Sequence, residues 1–234
     1  MPSNREMETD ASRRDVLRMA VAGGIALGLG VTSGAGAPGR AHAQTALTPD
    51  DALKTLMDGN ARFTAGRLTS FQEDLTLLAQ KTAEKQEPFA AILSCADSRV
   101  PVEILFDQTI GHVFVVRVAG NVATPEIIAS LEYGAAVLGT GLLLVLGHGA
   151  CGAVTAAIAG KAVPGQISAL YAPLRPAVDQ AGPDPDAVIR ANARIQASIL
   201  RTASPVIAGL LGQGKFKVVA AHYDITSGAV SLLG

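Results

Sequence analysis

The two cysteines of this 234-residue chain each stand just after a short apolar run. Residues 89–94 lead into Cys95, and residues 142–146 lead through one glycine into His148 and Cys151. Apolar runs of this length, without polar alternation, are typical of strands buried on both faces of a parallel sheet. If the two strands are parallel neighbours, their carboxyl ends share one edge of the sheet, where open α/β sheets place their functional sites.

Two cysteines and a histidine at one sheet edge form a donor set that suits zinc. Three protein ligands leave a fourth position open, which is typical of catalytic rather than structural zinc. Asp97, two residues after Cys95, is a candidate fourth ligand, and His222 near the end of a later strand is a rival ligand. A disulfide between Cys95 and Cys151 is the alternative, but a structural disulfide would not need ligand-type residues beside it.

Asp97 and Arg99 follow Cys95 at spacings that let them interact. An arginine that forks onto the carboxylate would keep it ionised and fix its orientation. The free lone pair of Asp97 could then accept a hydrogen bond from a hydroxide at the metal. From these two residues alone, a structural ion pair at a strand end is the simpler interpretation.

The wider pattern predicts an α/β fold. We expect a central, mostly parallel β-sheet of four strands flanked by helices, with a possible fifth edge strand at residues 229–233. The four strands are expected at 89–94, 113–118, 142–146 and 216–221. Three helices are predicted to begin at a capping residue followed by proline, at Thr48, Thr124 and Asp184.

Residues 1–43 are interpreted as a twin-arginine signal peptide, with Arg13 and Arg14 before a mild apolar stretch and Ala41-His42-Ala43 as the cleavage site. The mature chain, residues 44–234, is then a single catalytic domain in the periplasm or secreted. The apolar stretch is short and interrupted by glycines, so no membrane span is expected in the mature form. A net charge of −1, 4% aromatic residues and no tryptophan argue against nucleic-acid binding.

Four motifs in order and in register carry a family resemblance: 95–100 (CADSRV), 114–121 (FVVRVAGN), 130–133 (SLEY) and 147–152 (GHGACG). Together they closely resemble the β-class carbonic anhydrases. The resemblance implies that the chain is a carbonate dehydratase with one Zn²⁺ per chain. It would hydrate carbon dioxide reversibly to bicarbonate and a proton, as a homodimer or higher homo-oligomer.

The resemblance also assigns roles to residues of this chain. Cys95, His148 and Cys151 would bind zinc, and Asp97 would orient zinc-bound hydroxide while paired with Arg99. In one subgroup of the family, the aspartate binds zinc directly in a closed state. Three residues would contact substrate: Gln86, Phe114 and Gly152. Two alternatives stay open, namely hydrolysis of carbonyl sulfide or carbon disulfide on the same fold, and a non-catalytic periplasmic protein with structural zinc or a disulfide.

Overall fold

The computed structural model of the protein describes residues 47–70 and 75–234. The predicted signal peptide and its cleavage site lie outside the described residues. Among the residues that are described, no single helix is long and apolar enough to cross a membrane. The adjacent helices Pro185–Ala203 and Pro205–Gly212 reach that length and hydropathy only when they are taken together, and their axes are bent by 88°.

The described residues form a five-stranded sheet, which confirms the predicted fold class. The strands are β1 (Ala90–Ser94), β2 (Val113–Arg117), β3 (Leu142–His148), β4 (Lys217–Tyr223) and β5 (Val230–Leu233). Their order is β2-β1-β3-β4-β5, in which the first four are parallel and β5 is an antiparallel edge strand. Both β1 and β3 are buried along their whole length, as their uninterrupted apolar sequences predict.

Helices cover both faces of this sheet. They are α1 (Pro49–Thr64), α2 (Leu75–Thr82), α3 (Val102–Leu105), α4 (Pro125–Ala136), α5 (Gly152–Ala159), α6 (Tyr171–Ala181), α7 (Pro185–Ala203) and α8 (Pro205–Gly212). A 3₁₀ turn at Ile167–Leu170 leads into α6.

Two of the three predicted helix caps form as expected. The Thr48 hydroxyl and the Asp184 carboxylate each accept a hydrogen bond from a backbone N–H of the first helical turn, at 3.1 and 3.2 Å. Thr124 precedes α4 but makes no such bond, because its hydroxyl donates to the Glu126 side chain instead. Helix α8 was not predicted from the sequence, although Ser204 supplies the same kind of cap, accepting a hydrogen bond from the Ile207 N–H at 3.0 Å.

Alternate residues of the central strands face two separate cores. Ile92 and Leu144 pack with α1 and α3 on one face, while Leu93 and Val145 pack with α4, α7 and α8 on the other. A third apolar cluster lies around Cys95 and includes residues of α5, α6 and α7. The carboxyl ends of β1 and β3 are therefore held between well-packed layers.

Candidate metal centre

Two neighbouring strands bring the three predicted ligands together. β1 and β3 pair in register, with Ser94 opposite Leu146, so their carboxyl ends meet at one edge. Cys95 follows β1 directly, His148 is the last residue of β3, and Cys151 precedes α5. One donor atom from each of the three side chains lies within 4.8 Å of the others, and all three residues are buried. The sequence predicted this juxtaposition correctly.

The His148 ring presents one nitrogen to this cluster. Its Nδ1 lies 2.9 Å from the Gly149 carbonyl oxygen, a contact in which Nδ1–H is the donor. That tautomer leaves Nε2 with a free lone pair, and Nε2 is buried without a hydrogen-bond partner. A buried nitrogen acceptor without a donor is costly unless something else fills that role, and a metal ion does so.

Cys95 and Cys151 are both free thiols, so no disulfide joins them. A hydrogen bond from Cys151 lowers the pKa of Cys95, and bonds from the N–H groups of Gly120 and Asp97 act in the same direction against the effect of burial. The same sulfur contact, followed by burial, raises the pKa of Cys151. The contact between the two sulfurs favours one thiolate beside one thiol, and a bound divalent metal would favour ionisation of both, because metal-bound cysteines are thiolates.

Asp97 and Arg99 form the predicted ion pair beside this cluster. Arg99 donates from its Nε to Asp97 Oδ1 at 2.9 Å and from Nη2 to Asp97 Oδ2 at 2.8 Å, and its backbone N–H also donates to Oδ1 at 3.0 Å. These bonds from Arg99 hold the pKa of the Asp97 carboxyl well below its usual range. Asp97 Oδ2 lies 3.9 Å from His148 Nε2, so an ionised carboxylate stands next to the ligand cluster.

Arg117 is a site residue that the sequence analysis missed. It ends β2 and donates from Nε to the Cys95 carbonyl oxygen at 2.9 Å and from Nη2 to the Asp97 carbonyl oxygen at 2.6 Å. One guanidinium thus fixes the backbone at two points of the loop that carries the ligand Cys95 and the Asp97–Arg99 ion pair. The available signal was a charged residue at the end of an apolar strand on the same sheet edge.

Comparison with known proteins identifies the family. The family described as carbonic anhydrase matches residues 90–230, more than half of the chain. The solved β-carbonic anhydrase CafA of Aspergillus fumigatus superposes with a TM-score of 0.62 at 26% identity, covering 78% of this chain and 91% of that one.

The chain belongs to the β-class carbonic anhydrase family. Carbonic anhydrase 2 of Mycobacterium tuberculosis is 48% identical over 111 residues, which are 47% of this chain and 53% of that protein. The match thus spans about half the length of that relative. A carbonic anhydrase of Pseudomonas aeruginosa is 34% identical over 198 residues, covering 77% of this chain and 87% of the relative.

Two of the three residues that the β-class resemblance assigned to substrate do not join the ligand cluster in one chain. Gln86 precedes β1 and is exposed at the amino edge of the sheet, whereas Cys95 follows the same strand at the opposite edge. Phe114 is the second residue of β2, lies opposite Ala91 and packs against Tyr133, with ring centroids 6.2 Å apart. Gly152 adjoins Cys151 as the first residue of α5.

His222, the rival ligand, lies outside the cluster of three donors. Its Nε2 is 3.2 Å from Asp186 Oδ1, at the first turn of α7. Burial lowers the pKa of His222, and the Arg190 charge adds to that effect. The structure therefore supports the interpretation of His222 as a strand-end histidine.

Proposed function

We propose that this protein catalyses the reversible hydration of carbon dioxide to bicarbonate and a proton, with one zinc ion per chain bound by Cys95, His148 and Cys151. The observation that carries the proposal is the placement of an arginine-held carboxylate, Asp97, beside three converging metal donors. A purely structural zinc site has no use for an oriented carboxylate. Family membership supports the same reaction.

The donor set fits zinc in chemistry and in count. Two sulfurs and one imidazole nitrogen match the ligands zinc prefers, and three protein ligands leave a position for water. When bound there, zinc would act as a Lewis acid that makes a water molecule nucleophilic near neutral pH.

Asp97 would orient the reacting water. Because Arg99 keeps the carboxylate ionised, Asp97 can accept a hydrogen bond but cannot donate one. When a hydroxyl group donates its hydrogen to Asp97, the lone pair of the hydroxyl oxygen points away from the carboxylate and towards substrate. We also propose that Asp97 binds the metal directly only in a closed state, in which its carboxylate turns from Arg99 towards the metal.

Stopped-flow hydration of carbon dioxide by the mature protein, with zinc measured on the same sample, tests the proposal. We expect Cys95→Ser to lose zinc and activity together. Asp97→Asn should retain zinc but lose about 10²–10⁴-fold in rate, the usual contribution of a positioned acid–base group. Asp107→Asn is the matched control, because Asp107 is also a carboxylate bound by an arginine, Arg62, but is not part of the metal cluster.

Two results would contradict the proposal. Wild-type protein with full zinc and no hydration between about pH 6.5 and 9 would leave another substrate, such as carbonyl sulfide or carbon disulfide, or a structural metal. Protein that binds no zinc and contains a Cys95–Cys151 disulfide would remove the metal site itself.

We also propose that the enzyme is a homodimer or a larger homo-oligomer. Gln86 lies at the sheet edge opposite the ligands of its own chain, so its predicted substrate role would require the site of a second copy. Tyr133 and Val137, which line the same surface depression as Gln86, are 47% and 50% exposed. A monomer in light scattering at micromolar concentration would contradict this proposal.

Export by the twin-arginine pathway, to the periplasm or the medium, stays a proposal that rests on Arg13, Arg14 and the small-residue cleavage site. Replacement of both arginines by lysine should keep the protein in the cytoplasm with the segment 1–43 uncleaved. Continued cleavage and export of that variant would contradict it.

A further inference from the structure

A buried polar network joins α7 to the loop between β2 and α4. Its two side-chain members, Asn192 and Gln196, are 1% and 0% exposed and lie one helical turn apart. The Gln196 Nε2 donates to Asn192 Oδ1 at 3.0 Å, which locks the two amides together. Buried amides inside a helix are costly unless their hydrogen bonds are satisfied, so their partners indicate what they hold.

The partners of both amides lie in the β2–α4 loop, with one exception. Asn192 Nδ2 donates to the Gly120 carbonyl oxygen at 2.9 Å, and Gln196 Oε1 accepts the Ala123 N–H at 2.9 Å. The exception is a bond from Gln196 Nε2 to the Pro173 carbonyl oxygen in α6, at 3.2 Å. Two bonds to one loop from one rigid helix fix the position of that loop.

The loop in turn contacts the metal centre. The Gly120 N–H donates to Cys95 Sγ at 3.3 Å. The residue whose carbonyl Asn192 holds is therefore the residue whose N–H points at a ligand sulfur. Gly120 adopts a positive φ of 78°, a conformation that any other residue would strain.

We propose that Asn192 and Gln196 are positioning residues that aim the Gly120 N–H at the Cys95 sulfur and thereby tune the metal. This inference rests on the zinc site of the proposed function. An N–H bond to a ligand thiolate stabilises its negative charge and fixes its orientation, which favours metal binding, and it also withdraws some electron density from sulfur. With two thiolate ligands, such a bond keeps the metal a stronger Lewis acid than the ligand set alone would allow.

A purely structural role predicts a different outcome, and Asn60 offers the matched control. Asn60 is also a buried amide on a helix, α1. It donates to the carbonyl oxygens of Leu105 and Gly228 and accepts the Val230 N–H. None of these partners contacts a ligand sulfur, so Asn60→Ala should destabilise the fold without altering the environment of Cys95.

The experiment uses the mature protein loaded with ¹¹³Cd²⁺ in place of zinc. In the wild type, the Gly120 amide proton should show scalar coupling to cadmium through the N–H···S bond. In Asn192→Ala that coupling should weaken or disappear, and zinc affinity in chelator competition should fall by about 10–100-fold. Gln196→Ala leaves the Asn192–Gly120 bond in place and should give a smaller change, while Asn60→Ala should preserve both readouts.

Absence of coupling at Gly120 in the cadmium-loaded wild type would overturn the inference without any mutation, and so would equal losses in Asn192→Ala and Asn60→Ala. A wild type that binds neither cadmium nor zinc would instead overturn the proposed function, and this inference with it.

Discussion

Replacement of Gly120 by alanine is expected to damage both stability and metal binding, and Gly160 supplies its control. Both glycines have a positive φ, 78° and 59° respectively. A Cβ on Gly120 would lie 3.2 and 3.3 Å from the two methyl carbons of Leu174, whereas a Cβ on Gly160, at the end of α5, would have no atom within 4 Å.

The two alanine variants differ mainly in that contact. An alanine in the left-handed region costs about 1–2 kcal/mol at either position. Leu174 is fully buried, so moving it by a few tenths of an ångström adds roughly 1–2 kcal/mol, within the range for mild overpacking. We therefore expect losses of about 1–2 kcal/mol for Gly160→Ala and about 2–4 kcal/mol for Gly120→Ala.

Urea unfolding of the metal-free mature protein measures both losses, provided that the m-value is unchanged. Zinc affinity should fall in Gly120→Ala, because the displaced loop carries the N–H bound to Cys95, and should be unchanged in Gly160→Ala. Equal losses of stability with equal zinc affinities would refute the reasoning, since only the surroundings distinguish the two sites.

Three further predictions concern other parts of the chain. Arg117→Met should reduce carbon dioxide hydration by about 10–100-fold, because the loop that carries the Asp97–Arg99 ion pair would be misplaced. Arg194→Met is the control: it loses one surface bond to the Gly234 carbonyl oxygen and should leave the rate unchanged. Gly59→Ala should lower the free energy of unfolding in urea by about 3 kcal/mol or more, because the new Cβ would lie 1.8 Å from the Phe106 carbonyl oxygen. Gly209→Ala, in open space on α8, should instead stabilise the protein by about 0.5–1 kcal/mol. Burial raises the pKa of Asp107, but bonds from Ser70, Arg62 and Thr69 outweigh it and leave that pKa depressed. The contribution of Asp107 to stability is therefore complete well above its unfolded pKa of about 4 and is lost progressively as the pH falls from there towards the depressed pKa. The stability difference between wild type and Asp107→Asn should accordingly begin to shrink as urea titrations move from pH 6 to pH 3.

The ligand set could be predicted from sequence because its signals are local. Cys95 and His148 each close an apolar run, and parallel pairing of two such runs brings their ends together without further information. The limits of β3 and β4 were less predictable. His148 and Tyr223 continue the ladder past the apolar residues, and this pairing depends on a partner strand about 75 residues away in sequence.

The orientation of α7 could not be predicted from its own sequence. By spacing alone, Val188, Ile195 and Ile199 share one face of this helix. The two isoleucines are nevertheless only half-buried, whereas Asn192 and Gln196 are buried. Two amides are buried there because loop groups more than 70 residues distant satisfy them. A pattern of hydrophobic residues carries no information about such partners.

The burial of the three ligands also constrains how the metal enters and leaves. Cys95, His148 and Cys151 are 3%, 0% and 2% exposed, and residues of α5, α6 and α7 pack around the two cysteines. The proposed reaction needs only water and carbon dioxide to reach the metal, whereas a chelator is larger and must contact the donors, so we expect metal exchange to be slowed by the local opening of this packing that it requires. A metal ion that binds while the chain folds should therefore be replaced only slowly in the mature protein.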